Sequence, residues 1–279
     1  AISRLTPGVQ SGVAVVTASV PAGEDVYRAQ VAVEFVPGPI NSLELTVNPG
    51  TISVPEGGDG ELTTLRATLR DGNGNLFPAQ SLVFFQVLGD AMPPQGCVFS
   101  NNSQRTTALS NNGVAAVTLE SGQLAGGKRL RAYSFRDQAQ QDTISDYGQI
   151  VVRSGFPFDI DMSYSSDGWD LGDNNWGINV AALVADRWGN LAPDNIQLLF
   201  EVEPEIVEIS QGSTGNRNHD GEFFPGMAFA TLTYSSSRTF DTVEIMTTVE
   251  TQDGRISGNM DLLMPLQNGS MTADANVAN

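Results

Sequence analysis

Three aspartates, Asp167, Asp170 and Asp173, stand three residues apart in the segment from Ser165 to Trp176, with Asn174 and Asn175 directly behind them. Carboxylates and side-chain amides at such short intervals supply the six or more oxygen ligands that a calcium ion takes. Asp167, Asp170 and Asp173 are therefore the candidate metal ligands, and Ca2+ the candidate cofactor, against the plainer reading of a solvated acidic loop. Trp169 and Trp176 lie in the same polar stretch. They are the candidate binding residues, because an indole stacks on a sugar ring or on a neighbouring subunit. Covering one end of a protein core is the other role open to them. A second acidic motif, Asp71-Gly-Asn-Gly-Asn75, has oxygen-bearing side chains at positions 1, 3 and 5 of a calcium loop, but Leu82 stands at position 12, where a bidentate glutamate belongs. It reads as a tight turn whose Asp and Asn bond their own backbone.

Catalytic chemistry has few places to sit. His219 is the single histidine and Cys97 the single cysteine, so a zinc centre or a Cys–His nucleophile is not supported. No Gly-x-Ser-x-Gly elbow accompanies His219, as an acyl-transfer triad would want, and it reads as a surface-loop residue. Glu201, Glu203, Glu205 and Glu208 crowd one strand-like region, where period-2 spacing turns most of them to solvent. Cys97 reads as a small buried hydrophobe. The residues point away from an enzyme.

The bulk composition agrees. The chain has 279 residues, a formal charge of −18 and 40 % hydrophobic residues. At roughly 100–200 residues per domain, that length suggests about two domains with real cores. Such acidity repels nucleic acid and anionic lipid, and no apolar run is long enough to insert directly into a membrane. With one cysteine there is no internal disulfide framework. The 29 glycines and 14 prolines favour short strands and many turns.

The elements that would position these residues emerge from a repeat. Asp71, Gly74, Asn75, Pro78, Phe85 and Val87 match Asp186, Gly189, Asn190, Pro193, Phe200 and Val202, each 115 residues later. Ala115, Thr118 and Leu119 match Ala228, Thr231 and Leu232 at an offset of 113. Leu5, Gly8, Gly12 and Ala18 match Leu119, Gly122, Gly126 and Ala132 at 114. A fixed period of this kind is the mark of a repeated structural unit. Leu43, Leu45 and Val47, then Leu65, Ala67 and Leu69, alternate with polar residues, the pattern of strands with one buried face. The expected organisation is residues 1–36 as the closing strands of a partial repeat, 37–153 as one β-sandwich, 154–266 as a second with the acidic, Trp-containing insert, and 267–279 as a polar tail.

The block Asp-x-x-Gly-Asn-x-x-Pro with its following aromatic strand, and the later Gly-x-Ala-x-x-Thr-Leu block (Gly113 to Leu119, Gly226 to Leu232), resemble the bacterial immunoglobulin-like domains of the invasin and intimin type, group 1. That resemblance implies an all-β fold of tandem immunoglobulin-like β-sandwiches and the work of a stalk or spacer in an extracellular or cell-surface protein of adhesin type. The partners it implies are neighbouring immunoglobulin-like domains and a host ligand. Residues 1–36 motivate an alternative, a subunit of an extracellular filament in which identical subunits assemble by strand addition. The two tryptophans motivate a third, a carbohydrate-binding accessory module with a glycan ligand.

Overall fold

The computed structural model describes residues 4–6, 8–58, 60–136, 141–235, 241–252 and 254–264. The expected polar tail, 267–279, lies outside them. Every regular element among the described residues is a strand. The chain divides into two compact units, one formed by 1–52, 62–122 and 127–151, the other by 53–61, 123–126 and 152–279.

In the first unit, β1 (Gly12–Ala22) and β2 (Asp25–Phe35) form a two-stranded antiparallel hairpin. The remaining strands are β3 (Ile40–Asn48), β4 (Thr51–Ser53), β5 (Leu62–Asp71), β6 (Leu82–Leu88), β7 (Val98–Phe99), β8 (Arg105–Leu109), β9 (Val114–Glu120), β10 (Gly126–Phe135) and β11 (Thr143–Arg153). They build two sheets, ordered β3-β5-β9-β7 and β4-β11-β10-β6-β8. Alternation decides which side chains fill the core. Leu65, Ala67 and Leu69 on β5 are fully buried, as are Val83 and Phe85 on β6 and Leu130 and Ala132 on β10, while their strand neighbours turn outward.

The second unit comprises β12 (Pro157–Gly172), β13 (Asn175–Asp186), β14 (Gln197–Glu203), β15 (Glu208–Ile209), β16 (Gly212–Ser213), β17 (Met227–Ser235), β18 (Asp241–Thr251) and β19 (Gly254–Met264). Its sheets are ordered β12-β13-β17-β15 and β16-β14-β18-β19. Ile178, Val180, Ala182, Val184, Leu198, Phe200, Leu232 and Ile245 fill the space between them. Apart from β4, which has no counterpart among the described residues, the strand order matches that of the first sandwich, with β5 in the place of β13, β6 in that of β14, β9 in that of β17 and β7 in that of β15. Phe99 pairs with Leu119 as Ile209 pairs with Leu232.

The matching glycines explain part of this agreement. Gly113 and Gly226 have positive φ, +75° and +73°. A Cβ on Gly113 would stand 2.8 Å from the Leu69 carbonyl oxygen, and one on Gly226 would stand 3.3 Å from that of Val184. Each glycine carbonyl in turn accepts the amide of that same residue, Leu69 or Val184. A close backbone approach in a left-handed conformation leaves room for glycine alone.

Candidate functional site

The Asp-rich segment is a hairpin rather than the loop its composition suggests. β12 runs to Gly172 and β13 starts at Asn175, so only Asp173 and Asn174 form the connection. Both have positive φ, 52° and 62°, which is the two-residue turn that matches strand twist and that Asp and Asn tolerate. Polar composition hid the strand because both of its ends are wet. Asp167, Asp170 and Asp173 are all exposed. The Asp170 carboxylate is engaged at home, accepting the Gly172 amide at 2.7 Å. Among the described residues, no group of three or more His, Cys, Asp or Glu side chains gathers where it could hold a metal ion.

The two tryptophans part company. In the hairpin register Trp169 faces Gly177 and Asp170 faces Trp176, so the indoles project from opposite faces of the sheet. Trp176 packs against the core of the second sandwich. Trp169 lies outside, over Gly177, where any Cβ would fall 2.6 Å from the indole. The His219 imidazole stacks on Trp169, with ring centroids 3.8 Å apart and planes 5° from parallel.

His219 reaches that position because its loop is tied to the outer face of the sheet. Its amide donates to Oδ1 of buried Asn179 on β13. Asn216 grips β17 by donating to the Phe229 carbonyl and accepting the Phe229 amide, both at 2.7 Å. Under this cover β13 is buried on both faces from Gly177 to Ala182, where alternation alone predicts a wet face. The result is an aromatic pair of an exposed imidazole on a half-buried indole, held on a rigid strand support.

A second aromatic surface escaped the sequence reading. On the outer face of the β6–β10 pair, Phe84 stacks on Tyr133 at 4.7 Å and meets Phe135 edge-on at 5.6 Å. The Arg131 guanidinium stands 4.7 Å above Tyr133 and 5.8 Å from the Tyr147 ring. The signal was present in Phe84-Phe85. Two consecutive large residues in a period-2 strand cannot both enter the core, and Phe85 does.

The turn motifs are built on carboxylates whose lone pairs are occupied by backbone amides. Asp71 accepts the amides of Asn73 and Asn75, both at 2.9 Å, and that of Gly38 at 3.1 Å. Asp186 accepts those of Trp188, Asn190 and Gly155 at 2.8–2.9 Å. The Asn75 amide beside it, with these backbone donors, holds the Asp71 carboxyl below the usual carboxylate range against the opposing effect of burial. Period-2 spacing points three of the four glutamates at 201, 203, 205 and 208 outward, and all four are exposed. Cys97 is fully buried, and burial pushes its thiol pKa up.

No protein-family model and no curated protein sequence matches this chain. Among solved structures, the chain is similar to the Escherichia coli adhesin FdeC, at 15 % identity and a TM-score of 0.47 over 91 % of this chain and 87 % of that one. It is similar to invasin, a bacterial integrin-binding protein, at 18 % identity and a TM-score of 0.45, over 89 % of this chain and 45 % of that one. A more distant likeness, at 10 % identity and a TM-score of 0.25, links 81 % of this chain to 24 % of a β-glucuronidase of Parabacteroides merdae. The strand order of both units is that of an all-β, immunoglobulin-like sandwich.

Proposed function

We propose that this chain is a spacer segment of an extracellular or cell-surface protein of adhesin type, built of repeated immunoglobulin-like sandwiches. The observation that carries the reading is the recurrence of one strand order and one set of turn hydrogen bonds in two sandwiches. Sandwiches of this kind form a rigid scaffold and leave recognition to surface residues grafted on it. The exposed side chains found here, the acidic hairpin tip included, serve solvation on this reading.

Beads coated with the purified protein test it. A spacer leaves the beads unbound to host cells and to a glycan array, at physiological salt and with or without calcium. Saturable binding by the protein alone contradicts the spacer reading. Binding that disappears on Trp169→Ala would instead support the accessory carbohydrate module, with Trp169 alone as its platform, since Trp176 faces the core.

The filament reading has one observation in its favour. The β1–β2 hairpin exposes Val13, Val15, Val20, Val26, Tyr27 and Val31, each more than half accessible, and among the described residues its strands pair only with each other. Exposed strand edges and apolar faces of this kind template further pairing. Sedimentation across a hundredfold concentration range separates the readings: a constant mass fits the spacer, and open-ended growth fits strand addition.

A further inference from the structure

Equivalent sheets carry opposite charge in the two units. In the first, the outer positions of β6, β8 and β10 line up in rows across the strands: Arg129 beside Leu88, Arg131 beside Gln86 and Arg105, and Tyr133 beside Phe84 and Thr107. Residues directly opposite one another share a face. No acidic residue occupies these rows, although the chain carries a charge of −18. Arg105, Arg129 and Arg131 have no carboxylate partner among the described residues. Arg131 is held instead by the rings of Tyr133 and Tyr147, with its Nε buried and without a hydrogen bond.

In the second unit, β14, β18 and β19 belong to the equivalent sheet. Their outer rows read Glu203–Glu244–Asp261, then Glu201–Met246–Asn259. Glu201 stands for Gln86 and Glu203 for Leu88 at the 115-residue offset, and Glu244 takes the register place of Arg129. No basic residue occurs in these rows. Glu201, Glu203, Glu244 and Asp261 are all exposed. Three carboxylates side by side, on strands about 5 Å apart, disfavour one another. Asn259 eases Glu244 by donating to it at 2.9 Å. Core packing calls for neither pattern, since both sets of side chains point away from the cores. Each face also offers apolar surface, Phe84 and Tyr133 on one, Leu199 and Met246 on the other.

We propose that the basic, aromatic sheet face of the first unit is a docking surface for a second copy of this chain, whose acidic sheet face it receives. Opposite charge selects that partner, and like charge rejects the two unproductive pairings, basic on basic and acidic on acidic. Exposed ion pairs are each weak. The contact therefore acts where copies are crowded and many engage together, and dilute single molecules stay apart. The pairing follows from charge and strand register and does not depend on the spacer role.

Clustering of beads coated with the whole protein, at physiological salt, tests it. Wild-type beads should cluster. Arg105→Glu/Arg129→Glu makes both faces acidic, and Glu244→Arg/Asp261→Arg turns the acidic face basic. Beads bearing either variant alone should cluster about tenfold less or weaker still, because like charges then meet. Mixing the two kinds of beads should restore clustering. Both variants keep a net negative charge, so overall charge does not produce that recovery. All four positions are exposed. Should one variant fail to fold, the other is mixed with wild-type beads of a second colour, which it must still recruit. Wild-type beads that stay dispersed, clustering that survives in both variants, or a mixture that does not recover overturns the proposal. So does clustering that appears only with added hyaluronate, which would give the basic face to an acidic glycan.

Discussion

The Asp71 carboxylate shows how one residue can be claimed by two chemistries. Its spacing to Asn73 and Asn75 suits a cation, yet its oxygens accept three backbone amides and contact the Asn75 amide. A group held below its ordinary pKa in the folded state stabilises the fold above its unfolded pKa, and that contribution is lost as pH falls through the folded value. Melting of the first unit should therefore fall as pH drops below about 4, and Asp71→Asn should flatten that dependence. An unchanged slope in the variant would assign the acid sensitivity to other carboxylates. Cys97 gives a second residue-scale expectation. Buried and pushed away from the thiolate form, it should resist a thiol-labelling reagent in the native protein and react on unfolding, because only the thiolate is nucleophilic.

At the scale of elements, alternation was the readable signal and its interruptions were not. Leu65, Ala67 and Leu69 are buried as their spacing predicts, and the Asp, Gly and Asn of both turn motifs fall at equivalent places between strands. The hairpin at 173–174 looked like a loop because strand pairing there comes from backbone geometry rather than from apolar side chains. The stack of His219 on Trp169 was out of reach for a different reason. The two residues are far apart in the sequence, and only the order β12-β13-β17 with its covering loop brings them together. The packing itself can be probed at the Lys128–Asp90 ion pair, 2.7 Å long with both side chains under one-tenth exposed. Asp90 also accepts the Cys97 amide. Lys128→Met strands a buried carboxylate and should cost about 3–5 kcal/mol. The double variant Lys128→Met/Asp90→Asn should recover part of that loss in a chemical denaturation series. Phe85→Ala, in the centre of the same sandwich, should cost a similar ~3–5 kcal/mol through its cavity.

Apart from β4, the two units share a strand order, and they share a turn chemistry, at residues that stand 113 to 115 positions apart in the sequence. What the offsets could not convey is how each motif is spent, since a spacing gives residue positions but not which lone pairs the backbone occupies. The central claim is that these repeated antiparallel sandwiches are the working part of the molecule. Single-molecule stretching from the two termini tests it most directly. Two separate unfolding events are predicted, each lengthening the molecule by roughly 35–40 nm, because an extended polypeptide gains at most ~3.3–3.6 Å per residue. A single event, or smooth extension without discrete steps, would contradict it.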